Sequence, residues 1–344
     1  MQMSSVIKGK ILQRVEHLLK STGYSIVQLS EGSKACFDII AKKREQLIII
    51  KVAPSIDNFK SDDSFELKNI ASFLNASPII IGEKGRRFSE LEEGLVLLRH
   101  GIPVVSFETF HNLIAEGMPP LVYCSRGGYF VQINRKLLRE ARIQKNLSYA
   151  DLAHKIGTFY ENINDNISVS RRTIYEYEHS INPPPEIASM LEDILEFPIV
   201  EGIKVLDLDI EKTDRPDYSL ENLTSMKEDV SHILQDLGFI SQFWTKMSPF
   251  DAFGEHTSQE VHSGLNVLVC VDEDQSQKTL NRIFMTQDIA SLTKRRAVMI
   301  LKEDQNHPAS QTIPTFTINE LNQMKKAFDL VKNWVKKYSD IKEG

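Results

Sequence analysis

A run of short, capped helix patterns in the middle of the chain constrains its fold more than any other feature. The first pattern has an apolar stripe at helical spacing, formed by Leu137, Leu138, Ala141 and Ile143. Ser148 is placed to cap a second helix, which Gly157 ends and whose inward stripe is Leu152, Ala153 and Ile156. Ser170 caps a third helix, and three prolines at 183–185 precede a fourth over 186–195. These patterns predict a central all-α region.

The segment before this region alternates apolar strand patterns with helix patterns. The spacing predicts helices near 7–20, 64–74 and 88–100, and strands near 24–29, 37–41, 47–52, 78–81 and 102–107. Such alternation indicates a central sheet that is covered on both faces. Met118-Pro119-Pro120 ends this unit, because consecutive prolines cannot continue a helix or a central strand.

The segment after about residue 220 repeats the order of the first. The stretch from Val15 to Tyr24 resembles the stretch from Val230 to Phe239, and each has a glycine before its aromatic residue. These similarities predict a divergent structural duplication, and chance similarity of common helix and strand patterns is the alternative. The predicted domains are an α/β domain at 1–120, a strand and helical domain at 121–200, a linker at 201–220 and a second α/β domain at 221–344.

Composition limits the class of protein and of partner. The 344 residues contain 41 Lys+Arg and 47 Asp+Glu, a net charge of −6, so any nucleic-acid binding must come from a local patch. The three cysteines, Cys36, Cys124 and Cys270, lie far apart, which favours a reducing cytosol and argues against a zinc module. No apolar run reaches 18 residues and the first ten lack a signal-peptide pattern, so we expect no membrane contact.

The central region resembles the Cro/C1-type (phage-repressor) helix-turn-helix family. The resemblance is carried by Leu147-Ser148-x-x-Asp151-Leu152-Ala153 and by Val169-Ser170-x-x-Thr173-Ile174-x-x-Tyr177-Glu178. It implies that the helix opened by Ser170 enters the major groove of double-stranded DNA. Residues 134–180 contain eight Lys+Arg and six Asp+Glu, a modest basic excess in an acidic chain. The alternative is a helical linker that does not touch DNA.

The same resemblance implies roles for particular residues. It directs Arg171, Arg172 and Glu176 toward base edges, and it places Thr173 or Tyr175 near the backbone. Three cations at the start of the first helix, Arg135, Lys136 and Arg139, would displace counterions from phosphates. Arg142 and Glu178 occupy the positions of a structural ion pair of the family.

One feature departs from the family. Where the family joins its second and third helices by a tight turn, residues 158–167 add several residues here. This insertion has three open interpretations: it follows a phosphate strand, it contacts a partner, or it is inert surface.

The first α/β segment resembles the archaeal Holliday-junction-resolvase branch of the PD-(D/E)xK nuclease fold. Those enzymes hold a divalent metal with an Asp and with the Glu of a Glu-x-Lys motif on the next strand. Asp38 matches the first carboxylate. Aligning Lys51 with the lysine of the motif leaves Ile49 in place of Glu, and the alternative alignment places Lys51 at the Glu and Ala53 at the Lys. The second copy has Asp251 but no Glu-x-Lys, so both copies are expected to be scaffolds without a metal or a catalytic residue.

The complete pattern resembles the helix-turn-helix regulators of archaea. It predicts a multidomain fold, α/β plus all-α, with a central Cro/C1-type bundle between two restriction-endonuclease-like α/β units. The predicted protein is a sequence-specific DNA-binding transcriptional regulator without enzymatic activity or a cofactor. We expect a cytoplasmic, chromosome-associated homodimer that binds a palindromic operator. A DNA repair or junction-binding protein and a protein-interaction adaptor are the alternatives.

Overall fold

The structure is a computed structural model that describes residues 2–29, 35–85, 90–161, 169–207, 223–243, 248–256, 265–273, 276–303 and 307–343. Two compact units group residues from different parts of the chain. Unit 1 consists of Met1–Leu18, Val52–Phe59 and Ile79–Asp209, and unit 2 consists of Leu19–Lys51, Lys60–Pro78 and Ile210–Gly344. The domain boundaries drawn along the sequence stay a prediction.

The described residues form eleven α-helices and thirteen strands. The helices are α1 (Gln2–Ser21), α2 (Ser61–Leu74), α3 (Phe107–His111), α4 (Arg135–Gln144), α5 (Tyr149–Glu161), α6 (Arg171–Tyr177), α7 (Pro185–Leu195), α8 (Ser225–Asp236), α9 (Gln277–Thr293), α10 (Ile318–Asn322) and α11 (Ala327–Glu343). The strands are β1 (Ser25–Gln28), β2 (Ile39–Lys43), β3 (Gln46–Ser55), β4 (Ser77–Lys84), β5 (Leu95–Arg99), β6 (Ile102–Ser106), β7 (Val122–Ser125), β8 (Gly128–Val131), β9 (Ile240–Phe243), β10 (Ala252–His256), β11 (Leu265–Asp272), β12 (Arg296–Leu301) and β13 (Thr315–Thr317).

In unit 1, five strands pair in the order β4-β6-β5-β7-β8. Strand β6 runs parallel to β4 and antiparallel to β5, while β5 and β7 are parallel. Strands β7 and β8 form an antiparallel hairpin directly before α4. This hairpin and the following helices form the part of unit 1 that contains the candidate interface.

Helices α4, α5, α6 and α7 share one apolar core with the end of the hairpin. The members of this core are buried, and they include Val131, Leu138, Leu152, Ile156, Ile174, Tyr177, Ile187 and Leu191. Leu152, Ala153 and Ile156 point inward as their spacing predicts. Burial of this shared stripe stabilises helices that are too short to persist alone.

Three local predictions are wrong. Residues 95–99 form strand β5 rather than helix, because His100 and Gly101 both adopt positive φ and make a two-residue hairpin turn to β6. Gly157 does not end the second helix: α5 continues to Glu161, since a glycine inside a helix is disfavoured by only about 1 kcal/mol. Ile143 was predicted to be part of the buried stripe of α4, but it is exposed, and its neighbour Arg142 is buried instead.

In unit 2, the described elements of the two α/β segments follow the same order. Strands β1, β2 and β3 form an antiparallel meander, as do β9, β10 and β11. In each segment a helix comes before the first strand of the meander and another helix follows its last strand. The later sheet has the order β13-β12-β11-β10-β9, in which β11, β12 and β13 are parallel.

The two segments also match in register and pack reciprocally within unit 2. Asp38 and Asp251 each precede the second strand of their meander, and each amide N–H donates at 2.8 Å to the third strand, at Ile50 and Val269 respectively. Helix α9 lies against β1 and β2. The ring centroid of Phe73 on α2 lies 4.8 Å from that of Phe253 on β10. The duplication stays a prediction, which these shared features support.

A buried ion pair crosses the helical bundle. The Arg142 guanidinium donates to both carboxylate oxygens of Glu178, at 2.6 and 3.1 Å, and to the carbonyl of Leu147 at 2.8 Å. The Tyr149 hydroxyl donates to the same carboxylate at 3.1 Å, and its ring lies under the guanidinium. The hydrogen bond to Glu178 raises the pKa of Arg142 above its usual value. The pair therefore ties the end of α6 to α4 and α5.

Breaking this pair should open the helical bundle. We expect Glu178→Gln to destabilise it by about 3–5 kcal/mol, because an uncompensated buried guanidinium remains. Native-state hydrogen exchange of the α4 and α6 amides measures this loss directly. The double variant Arg142→Met/Glu178→Leu leaves no buried charge. Its α4 and α6 amides should therefore exchange more slowly than those of Glu178→Gln. Equal protection in Glu178→Gln and wild type would contradict a structural role for the pair.

Glu66 on α2, in unit 2, has a carboxyl group whose charged form is disfavoured by burial. Its Oε2 atom is buried and lacks a hydrogen-bond partner among the described residues. Burial, followed by repulsion from Asp62, raises the pKa of Glu66 to about 7. The folded state therefore holds this carboxyl in its neutral form over a wider pH range than the unfolded chain does.

Glu66 should make stability fall as pH rises. Because its folded pKa exceeds its unfolded value of 4.5, the stabilisation is present below about pH 4.5 and is lost as pH rises through about 7. Thermal unfolding should show Glu66→Gln gaining stability relative to wild type between pH 4 and pH 8. Glu45→Gln removes the same charge from an exposed turn and should show no such gain. A constant difference between Glu66→Gln and wild type across this range would contradict the assignment.

Candidate nucleic-acid interface

Helix α6 is short, firmly capped and anchored by its inner face. The Ser170 hydroxyl accepts a hydrogen bond from the Thr173 amide at 3.0 Å and lies 2.8 Å from the Thr173 hydroxyl. This is the N-cap that the sequence predicts. Ile174 and Tyr177 are buried in the bundle core. The remaining side chains of the helix are left on its outer face.

That outer face carries the residues predicted to read bases. Arg171 is exposed and, among the described residues, makes no hydrogen bond or ion pair. The Arg172 side chain is 87% exposed, and its Nε donates to Glu176 at 2.9 Å across one helical turn. Tyr175 is exposed on the same helix. The structure thus brings Ser170, Arg171, Arg172, Thr173, Tyr175 and Glu176 together on one short helix.

An aromatic cluster beside α6 was missed by the sequence analysis. The ring of Tyr175 stacks on His179 at 4.0 Å between centroids and meets the edge of Tyr149 at 5.8 Å. The His179 Nδ1 lies 2.7 Å from the Tyr175 carbonyl oxygen, to which an Nδ1–H would donate. The spacing of Tyr175 and His179, four residues apart, is the signal that indicates this stack.

The start of α5 is fixed by a reciprocal cap. The Asp151 amide donates to the Ser148 hydroxyl at 3.1 Å, and the Ser148 amide donates to the Asp151 carboxylate at 2.9 Å. Hydrogen bonding of the Asp151 carboxylate with the Ser148 side chain, and with its backbone amide, lowers the pKa of Asp151 below its usual value. Ser148 is therefore the helix cap that the sequence predicts.

The three predicted phosphate-binding cations on α4 have different surroundings. Arg135 donates at 3.2 Å to both the Ser180 carbonyl and the Asn182 side chain, in the loop after α6. The side chain of Lys136 is 84% exposed and lies 3.8 Å from Glu140. Arg139 is exposed and has no ion-pair partner among the described residues. Arg135 therefore supports the loop after α6, while Arg139 is the freest of the three.

The insertion between the second and third predicted helices is only partly described. Residues 158–161 extend α5, and the Thr158 hydroxyl donates back to the carbonyls of His154 and Lys155. Residues 162–167 lie outside the described residues, so the three interpretations of the insertion stay open.

The nuclease-like positions of the first copy pair a carboxylate with an ammonium group. Lys51 Nζ lies 3.7 Å from Asp38 Oδ2 and donates to the Ala35 carbonyl at 2.8 Å. Ile49 lies two residues earlier on β3, on the same face as Lys51, and its side chain is fully buried. Ala53 lies two residues later on the same face, so the register is compatible with both alignments of Lys51.

The equivalent positions of the second copy hold still more positive charge. The buried Asp251 carboxylate lies 2.7 Å from Lys227 Nζ and 2.6 Å from Arg282, and it accepts the Val271 amide at 2.8 Å. Cys270 occupies the register position of Lys51, and burial raises its pKa to about 12. Arg282 is the sixth residue of α9, as Glu66 is the sixth of α2.

These donor sets do not fit a divalent metal. Each copy offers one carboxylate at the expected position, and protein cations already neutralise it. Among the described residues, no group of three or more His, Cys, Asp or Glu side chains could hold a metal ion. Two carboxylates at an open position are what metal-assisted hydrolysis requires.

Comparison with known proteins places these features in a family. Residues 8–120 match the model of the PD-(D/E)XK superfamily domain. No solved structure matches the chain significantly. Within the described part of the chain, no helix combines the length and the apolar character needed to span a membrane.

Full-length relatives extend the similarity to both α/β segments and the bundle. The chain is 33% identical to the "putative HTH-type transcriptional regulatory protein" of Methanocaldococcus jannaschii, over 90% of this chain and 91% of that protein. Identically described proteins of Methanobrevibacter smithii (33%, covering 94% and 96%) and Methanothermobacter thermautotrophicus (31%, covering 95% and 96%) are similar along nearly their whole lengths. The chain belongs to this archaeal family of HTH-type transcriptional regulatory proteins.

Proposed function

We propose that the chain is a sequence-specific DNA-binding transcriptional regulator whose helices α4 to α7 form a Cro/C1-type helix-turn-helix. Helix α6 is the recognition helix. One observation carries the proposal: α6 buries Ile174 and Tyr177 and presents Arg171 and Arg172 outward. The names of the family's relatives point in the same direction.

The size of α6 suits the major groove of double-stranded DNA. Seven residues at about 1.5 Å per residue give a helix roughly 10 Å long, against a groove about 12 Å wide. The firm cap at Ser170 holds the first turn, where base contacts are made in repressor-type docking. Arg171 and Arg172 lie in that turn.

The two arginines can read guanine with little rearrangement. A guanidinium offers two parallel donors to the O6 and N7 atoms of guanine. Arg171 is unpaired among the described residues. Arg172 would give up its ion pair with Glu176 to bind the base. An exposed pair of this kind contributes only about 0–1 kcal/mol, so its loss is readily offset. Glu176 would then be free to accept from the amino group of cytosine.

Neighbouring side chains would hold the duplex backbone. Thr173 and Tyr175 follow the base-reading arginines on α6, and Ser170 caps the start of this helix. Arg139 and Lys136 would add positive charge from α4, while Arg135 holds the loop after α6 in place. Such contacts position the protein without specifying sequence.

We infer that the regulator binds as a homodimer. Repressor-type motifs place their recognition helices in successive major grooves, about 34 Å apart, so each copy reads half of a palindromic operator. The α/β segments would then serve assembly rather than chemistry. We propose no enzymatic activity, because the nuclease-like carboxylates are already ion-paired, Asp38 with Lys51 in one copy and Asp251 with Lys227 and Arg282 in the other.

Selection of bound fragments from random duplex DNA, followed by sequencing, tests the proposal. Wild-type protein should enrich a palindromic site. Arg171→Ala/Arg172→Ala should lower affinity for that site by at least about a hundredfold, since each bidentate contact contributes about 1–3 kcal/mol. Lys332→Ala/Lys336→Ala removes the same charge from an exposed face of α11 and should enrich the wild-type site.

Two results would contradict the proposal. If the control pair and the α6 pair lost affinity equally, binding would be a matter of net charge rather than base reading. If wild type enriched no sequence, junction-shaped DNA and protein partners would be the next candidates.

Salt dependence should separate Arg139 from the base-reading arginines. Arg139→Gln should weaken binding to all sequences alike and reduce the slope of log affinity against log salt by about 1. Lys155→Gln, an exposed lysine on α5, is the matched control for charge. Altered sequence preference in Arg139→Gln, as seen by the same selection, would show that Arg139 reads bases instead.

A further inference from the structure

The hairpin of β7 and β8 forms the edge of the sheet of unit 1 and has an arginine at its tip. Ser125 and Gly128 pair across a two-residue loop made of Arg126 and Gly127. Gly127 and Gly128 have φ of +103° and +139°, values that side chains other than glycine rarely allow. The glycines therefore permit a tight, narrow tip.

The tip of this hairpin is exposed and positively charged. Ser125, Arg126 and Gly127 are all exposed, and Arg126 makes no hydrogen bond or ion pair among the described residues. Residues 121–133 contain no Asp or Glu, so nothing within the hairpin offsets this charge. The Tyr129 side chain, next to the tip, is 49% exposed.

Hydrogen bonds fix the hairpin to the end of the proposed recognition helix. Asn182, in the loop after α6, donates to the Tyr123 hydroxyl of β7 at 2.9 Å. The single oxygen of that amide side chain accepts from Arg135 at 3.2 Å, and the Val131 amide of β8 donates to the Pro183 carbonyl at 3.0 Å. The position of the hairpin is therefore set by the same loop that ends α6.

Distances favour a contact beside the major groove. Helix α6 is about as long as the groove is wide, so the loop at its end would lie over the bordering phosphate strand. Arg126 is three residues beyond Tyr123, which corresponds to roughly 10 Å along an extended strand. A reach of that length is enough to take an arginine past a phosphate strand to the adjacent minor groove.

We propose that the hairpin of β7 and β8 is a second DNA contact, a wing whose Arg126 enters the minor groove flanking the site read by α6. The inference rests on the proposed function. Narrow minor grooves of A·T-rich DNA have an enhanced negative potential that attracts arginine. The wing would therefore give the regulator a preference for A·T-rich flanks that α6 never touches.

Affinity measurements on the selected site with A·T-rich or G·C-rich flanks test this wing. Wild type should bind the A·T-flanked duplex more tightly. Arg126→Ala should lose about tenfold on that duplex, as expected for one DNA contact, and little on the G·C-flanked one. Hydroxyl-radical footprints of wild type should extend into the flanking minor groove and should shorten in Arg126→Ala.

The α6 variant separates the two proposals. If Arg171→Ala/Arg172→Ala abolishes site preference while Arg126→Ala matches wild type in affinity, flank preference and footprint, the wing is overturned and the proposed function stands. If wild type shows no site preference, both are overturned. Loss of flank preference in Arg126→Ala together with retained preference for the central site supports the wing.

Discussion

The bidentate pair of Arg142 and Glu178 is the interaction on which the helical bundle depends. It joins the middle of α4 to the residue that follows α6, and Tyr149 of α5 donates to the same carboxylate. A buried charge pair of this kind adds little net stability, but the loss of one partner is costly because the other charge stays buried. The pair anchors the end of α6, which has Ile174 and Tyr177 in the core and Arg171 and Arg172 facing outward.

The two α/β segments pair their nuclease-like carboxylates with protein cations in two different ways. In the first copy Lys51 Nζ lies 3.7 Å from Asp38, and Ile49 on the same strand is fully buried. In the second copy Arg282 and Lys227 both pair with Asp251. In both copies protein cations supply positive charge beside the carboxylate. The retained strand order can then serve packing and assembly.

Features set by a few neighbouring residues could be predicted from the sequence. The caps at Ser148 and Ser170 and the stripe of Leu152, Ala153 and Ile156 have the structure that their spacing indicates. Strand Leu95–Arg99 was predicted as helix, because its apolar residues fit the spacing of a helix as well as that of a strand.

Tertiary features of the candidate site were beyond the sequence. The stack of Tyr175 on His179 and the bond between Asn182 and Tyr123 join residues whose proximity depends on the folded bundle. The equivalence of Glu66 and Arg282 appears only when the starts of helices α2 and α9 are known, because each is the sixth residue of its helix.

Base reading by α6 is tested most directly by methylation interference with the guanines of the bound site. If α6 reads the major groove, methylating guanine N7 should block binding at two positions about one helical turn apart. Binding that is indifferent to N7 methylation would contradict the account.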